Sequence, residues 1–359
     1  MRLGIIGLPQ AGKTTVFNAL TRGHAPTGTM TGGGRFEVHT AVVPVPDPRV
    51  DRLSEMFHPR KTIFAQVTYS DIAGLEAEAG KKEELGGPLL AELRQVDGLL
   101  LAIRFFESAS LPHPLGSIDP ARDFSAMQAE LVLNDQITVE RRLGRLQEEL
   151  RKGGTKDRAQ AQREIDLFGR LDGALQKEQP LRTQDFSPEE ARLLAGYGLL
   201  SQKPMLVVWN LGEGQKPLEG LSCGPRTAQV SLQGKIEMEI AQLAPEEAQV
   251  FLAEYGIAEP GLNRVIRFSY DLLGQQSFFT VGEDEVRAWT VRQGATAPEA
   301  AGEVHTDMQK GFIRAEVISY DDLVALGGMA EARGKGKLRL EGKDYVVQDG
   351  DVITIRFNV

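Results

Sequence analysis

Residues Gly7-Leu8-Pro9-Gln10-Ala11-Gly12-Lys13-Thr14 spell GxxxxGK[ST] close to the start of the chain. An apolar run at residues 3–6 precedes the octet, and a helical pattern carrying Val16, Phe17 and Leu20 follows it. Strand, glycine-rich turn and helix in that order make a phosphate cradle. Glycines let successive backbone N–H groups curl round an anion, and the helix aims its positive N-terminus at the same point. Lys13 is placed to reach β- and γ-phosphate oxygens, and the Thr14 hydroxyl to ligate Mg²⁺. Pro9, Gln10, Ala11, Gly12 and Thr15 complete the phosphate-binding set. The motif predicts an α/β fold, a mainly parallel sheet covered by helices on both faces.

Two further motifs fit a nucleoside triphosphate. Asp71-Ile72-Ala73-Gly74 follows an apolar stretch at residues 62–70. A P-loop NTPase needs an acidic residue at a strand end to hold Mg²⁺ and a glycine N–H facing the γ-phosphate, so Asp71 is the metal candidate and Gly74 the catalytic one. Asn210-Leu211-Gly212-Glu213 follows the strand-like residues 205–209. Guanine-specific switch proteins carry NKxD at this place. Here Glu replaces Asp and the Lys is missing, so Asn210, Leu211 and Glu213 are candidate base contacts. Ser231, after the strand-like residues 228–230, is a weaker candidate for a backbone contact to the base.

Composition closes other routes. The chain has 359 residues, 41 Lys and Arg against 50 Asp and Glu, a net charge of −9, and a single cysteine, Cys223. That balance argues against binding nucleic acid over the whole surface. One cysteine excludes an internal disulfide and fits a reducing, cytoplasmic compartment. No apolar run reaches the ~18 residues of a membrane helix. From about residue 124 the pattern turns helical. Val132, Val139 and Leu146 form a heptad seam, Gly153-Gly154 interrupts it, and Ile165, Phe168, Leu171 and Leu175 share one side of a second helix. This reads as an antiparallel hairpin inserted into the α/β domain, either ordinary packed helices or a protruding arm. The last part, with strands expected at 278–281, 286–291 and 350–357 and a helix at 298–308, reads as a small α+β module. The expected organisation is a first G-domain part at 1–123, an inserted helical arm at 124–200, a second G-domain part at 201–275 and a terminal domain at 276–359.

At these residues the chain resembles the YchF (Obg-like ATPase) family of P-loop NTPases. The likeness rests on residues 7–15, on Val42-Val43-Pro44-Val45-Pro46-Asp47-Pro48-Arg49, on residues 71–75, on the NxxE pattern at 210–213, and on Glu285-Val286-Arg287-Ala288-Trp289-Thr290 with residues 305–316. The resemblance implies a G domain interrupted by a coiled-coil arm and followed by a ubiquitin-like, β-grasp TGS domain. It also implies a ribosomal or RNA partner reached through arm and TGS domain. Arg333, Lys335, Lys337 and Arg339 read either as a basic patch or as a solvated loop.

The expected function is a slow, Mg²⁺-dependent NTPase acting as a molecular switch on ATP or GTP. The alternative is a nucleotide-gated adaptor with little or no hydrolysis. A P-loop kinase of small metabolites is disfavoured, because it needs neither a base motif at Asn210 nor a TGS-like tail. Leu75 stands where many switch GTPases carry a water-orienting Gln and cannot hydrogen-bond to water, so turnover is expected to be slow. Compared with the family pattern, Glu78, Lys82 and Glu84 replace glycines, Gly87 replaces Asn, Gly34-Arg35 replaces Ala-Thr, and Gln10 replaces Asn. The lost Thr leaves Thr31 and Thr40 as substitutes for a Mg²⁺ contact. Glu213 is one methylene longer than the Asp that reads guanine, so weak discrimination against ATP, or a preference for it, is expected.

Overall fold

The computed structural model describes residues 1–25, 38–72, 87–153, 157–216, 223–254 and 259–358. In chain order the elements run β1 (Arg2–Ile6), α1 (Lys13–Thr21), β2 (Val38–Pro44), α2 (Pro48–Phe57), β3 (Lys61–Ile63), β4 (Gln66–Ile72), α3 (Gly87–Gln95), β5 (Gly98–Arg104), α4 (Pro120–Arg151) and α5 (Arg158–Leu175). They continue with α6 (Pro188–Leu194), β6 (Met205–Asn210), β7 (Thr227–Leu232), α7 (Gly234–Ala241), α8 (Pro245–Glu254), α9 (Gly261–Leu272), β8 (Gln275–Val281), β9 (Glu285–Arg292), α10 (Ala297–Val304), α11 (Thr306–Lys310), β10 (Phe312–Ser319), α12 (Tyr320–Leu326), α13 (Met329–Gly334), β11 (Arg339–Glu341) and β12 (Asp351–Phe357). Two compact units result, Met1–Ala41 with Thr68–Val265, and Val42–Val67 with Ile266–Val359.

The sheet of the first unit has the order β2-β4-β1-β5-β6-β7. Strands β4, β1, β5, β6 and β7 pair in parallel. The apolar runs of β5 and β6 are buried throughout, as expected of central strands covered on both faces. Parallel pairing sets the carboxyl ends of these strands along one edge, which is where open α/β sheets bind ligands.

The helical insertion is a hairpin. Asp119 and Asp157 cap α4 and α5 by accepting the N–H groups of Arg122 and Gln160. Val132, Val139 and Leu146 pack against Phe168, Leu171 and Leu175, the seam legible in the heptad spacing. Gly153, at φ 70°, follows the end of α4 in a conformation that glycine adopts without strain. At the root of the hairpin the Asp135 carboxylate accepts the N–H groups of Leu200 and Ser201 at 2.7 Å each, which fixes α4 to the segment leading into β6. Burial pushes that carboxyl up to about 6.

In the second unit the sheet order is β11-β10-β12-β8-β9-β3. Strands β8 and β9 form an antiparallel pair, as do β10 and β12, while β12 runs parallel to β8. Alanines 297, 300 and 301 of α10 meet Phe278, Phe312, Val317 and Ile353 in its core. Two sequence expectations change here. The single strand expected at 62–70 is two strands, and β3 pairs in parallel with β9 while β4 joins the other sheet. A continuous apolar run carries no mark of where its partners change. The helix expected at 298–308 is broken at His305, whose backbone is extended (φ −164°, ψ 141°) and whose Nδ1 accepts the Asp307 N–H. The segment before α2 has a packing role within this unit. Asp47 accepts the Arg49 N–H, and Arg49 bridges Asp47 at 2.9 Å and Asp349 at 2.7 Å while lying over the Phe279 ring.

Candidate functional site

The candidate residues within the described chain lie at the carboxyl ends of β1, β4, β6 and β7. Two glycines shape the loop after β1. Gly7 has φ 153°, and a Cβ there would come within 2.3 Å of the Ala102 carbonyl oxygen. Gly12 has φ 86°, and its Cβ would fall 2.2 Å from Asn210 Nδ2. Gly12 caps α1 with no side-chain hydrogen bond, so the first-turn N–H groups are left for an anion. Gln10 is exposed and sits at φ 61°, the left-handed region that Asn or Gly adopts at lower cost. Pro9 and Thr15 are half-buried, and Ala11 is buried.

Lys13 is the first residue of α1 and half-buried. Its Nζ donates to the carbonyls of Gly7 at 3.2 Å and Leu8 at 3.0 Å. Thr14 Oγ1 donates to Asp71 Oδ2 at 2.7 Å. Asp71 is 1% exposed, and its Oδ1 has no hydrogen-bond partner among the described residues. A buried carboxylate oxygen without a donor is costly unless a ligand satisfies it. Thr40 does not join this pair, because its hydroxyl meets Ser70 Oγ at 3.1 Å, and Ser70 and Asp71 face opposite sides of β4.

Asn210 was expected to contact a base. Its Nδ2 donates to the Ala11 carbonyl at 3.1 Å and its Oδ1 accepts the Gly234 N–H at 3.1 Å. The side chain therefore ties the P-loop to the loop after β7, with one Nδ2 hydrogen still to give. Leu211 is buried, with its N–H on the Leu232 carbonyl at 2.8 Å. Glu213 is exposed. The Ser231 carbonyl accepts from Arg264 Nη2 at 3.3 Å. Glu237 accepts the Gly261 N–H at 2.7 Å, so the start of α9 braces the same loop. Gly74, Leu75, Glu78, Lys82 and Glu84 lie outside the described residues, as do Thr31, Gly34 and Arg35, while Gly87 opens α3.

Sequence reasoning missed Arg104 and Phe106. Phe106 follows β5 and borders both glycine loops. An ideal Cβ on Gly12 would lie 3.6 Å from its ring, and one on Gly212 would lie 3.4 Å from its Cβ. The available signal was an aromatic side chain just beyond an apolar strand at the ligand-binding edge of the sheet.

A family profile described as 50S ribosome-binding GTPase matches residues 2–135. A second, for the C-terminal part of YchF GTPases and described as a protein of unknown function (DUF933), matches residues 275–358. The Ribosome-binding ATPase YchF of Bacillus subtilis is 42% identical over 99% of both chains. The protein of that name from Haemophilus ducreyi is 43% identical over 100% of this chain and 99% of its own. This chain belongs to the YchF family. The solved structure of the Schizosaccharomyces pombe YchF GTPase superposes with a TM-score of 0.83 at 30% identity, over 99% of this chain and 97% of that one. The YchF resemblance read from the motifs thus holds from end to end, and so does the P-loop α/β fold. Among the described residues no helix is long and apolar enough to cross a membrane.

Proposed function

We propose that this YchF chain binds ATP at the strand edge around Lys13, hydrolyses it slowly with Mg²⁺, and works as a nucleotide switch on the ribosome. The observation that carries the reading is the Thr14–Asp71 pair, with Thr14 next to Lys13 in the chain. A hydroxyl and a buried carboxylate with one unsatisfied oxygen are hard oxygen donors, the kind Mg²⁺ prefers. Bound there with the phosphates, the metal would supply charge neutralisation at the β- and γ-oxygens. The chain's own part is to hold the triphosphate. The N–H groups opening α1 face the phosphates, and Lys13 exchanges loop carbonyls for phosphate oxygens. Asn210 keeps the phosphate and base loops in register. The base lies along the edge bounded by Phe106, Gly212 and Ser231, with Phe106 as its apolar wall. Among the described residues of that edge none is the short fixed carboxylate that reads guanine, and Glu213 is exposed, so ATP is favoured. The ribosome enters through the names of the relatives, which are ribosome-binding ATPases, and such a partner supports a cytoplasmic location.

A phosphate-release assay with ATP and GTP, with and without ribosomes, tests the reading. Slow release from ATP alone, preferred over GTP and changed by ribosomes, is expected. No release from either nucleotide in either condition would instead make the chain a nucleotide-gated adaptor.

A further inference from the structure

We propose that Arg104 is a positioning residue for the nucleotide base, holding the Phe106 ring as the platform against which the base stacks. The inference rests on the base edge proposed above and deepens it. Arg104 closes β5 and is 2% exposed. Its guanidinium carbon stands 4.7 Å from the centroid of the Phe106 ring, within cation–π range. Its Nε donates to the Phe106 carbonyl at 3.1 Å, and its Nη2 to the Leu111 carbonyl at 2.7 Å. One side chain thus grips both the ring and the backbone of the same residue. In the sheet register Arg104 stands beside Asn210, the residue that locks the P-loop to the loop after β7.

This is an expensive way to fold a loop. A buried guanidinium loses its hydration, and burial lowers the Arg104 pKa. Among the described residues Arg104 makes no salt bridge, and Asp123, the charge that favours its charged form, is itself bonded to Arg122 and His113. Its Nη1 has no hydrogen-bond partner among the described residues. An apolar side chain of similar length would fill the volume without these costs. What it would not supply is a flat cation against one face of Phe106 and a fork that fixes the ring's own carbonyl. A ring so fixed meets a ligand base without first being ordered.

The test separates base from phosphates. ATP and inorganic tripolyphosphate share the phosphate contacts, and only ATP carries a base. Both are titrated against the wild-type full chain, Phe106→Ala, Arg104→Met, Arg104→Lys and the double variant Phe106→Ala/Arg104→Met, with thermal unfolding as the control for folding. Phe106→Ala and Arg104→Met are each expected to weaken ATP about tenfold, the scale of one lost base–aromatic stack, and to leave tripolyphosphate unchanged. Arg104→Lys keeps the charge but not the flat fork, so it should also weaken ATP alone. The double variant should bind ATP no more weakly than Phe106→Ala, because both changes remove one platform.

Equal losses for ATP and tripolyphosphate in the arginine variants would make Arg104 a general support of the fold and overturn the proposal. Wild-type ATP affinity in Arg104→Met, or a full additional factor in the double variant, would overturn it as well. If Arg104→Met does not fold, Arg104→Lys decides by the same two ligands. A Phe106→Ala chain that treats ATP as the wild type does would refute the base edge itself, a different failure from that of Arg104 alone.

Discussion

Replacing Lys13 by alanine is expected to weaken ATP binding by about 10²–10⁴-fold while the chain stays folded. In the free protein the ammonium donates to carbonyls of its own loop and is half-buried, so water can take its place on them. In the complex the same group meets two anionic phosphates. Hydrogen bonds to charged groups are worth about 1.5–3 kcal/mol each, and two of them give roughly 3–6 kcal/mol, at about 1.4 kcal/mol per factor of ten. Calorimetric titration with ATP measures the loss, and a thermal unfolding trace measures the intact fold. A variant with wild-type affinity would remove the phosphate assignment.

Gly12→Ala is expected to damage stability and binding together. Its φ of 86° costs an alanine about 1–2 kcal/mol. The new Cβ would also lie 2.2 Å from Asn210 Nδ2 and force that amide off the Ala11 carbonyl, a loss of about 1 kcal/mol. The sum, roughly 2–3 kcal/mol, should appear as a lower urea midpoint for the nucleotide-free protein, and ATP binding should fall with it. Because one clash underlies part of the loss, adding Asn210→Ala should return part of the stability. The two changes are then non-additive. Additive losses would mean that Asn210 does not occupy the space over Gly12.

The parts of this molecule that the sequence makes legible are those in which a few adjacent residues perform one physical task. Gly7 through Thr14 need unusual backbone angles and an anion-facing helix start, and that demand shows in the letters. The hairpin is legible because Val132, Val139 and Leu146 repeat at the interval of a packed helix. What is hidden depends on residues far apart in the chain. Strand β3 pairs with a strand more than two hundred residues later, and nothing in Lys61–Ile63 announces it. Arg49 looked like part of a family signature, and its partner Asp349 is visible only in the fold. Asn210 was legible as a site residue, yet its grip on Ala11 and Gly234 was not, because hydrogen-bond partners across a sheet edge leave no spacing. Arg104 and Phe106 escaped for a similar reason: an arginine at the end of an apolar strand reads as a solvated terminus until the ring beside it is seen.

The most direct test of the Lys13–Thr14–Asp71 site is ATP titration of the wild-type chain in Mg²⁺ and in EDTA, repeated with Asp71→Asn. Thr14 and Asp71 already meet at 2.7 Å with one carboxylate oxygen unsatisfied, so the wild type should bind ATP much more tightly with Mg²⁺ than without it. Asp71→Asn should lose most of that difference while keeping the metal-free affinity. Equal ATP affinity in Mg²⁺ and EDTA for the wild type, or an undiminished Mg²⁺ effect in Asp71→Asn, would contradict the account.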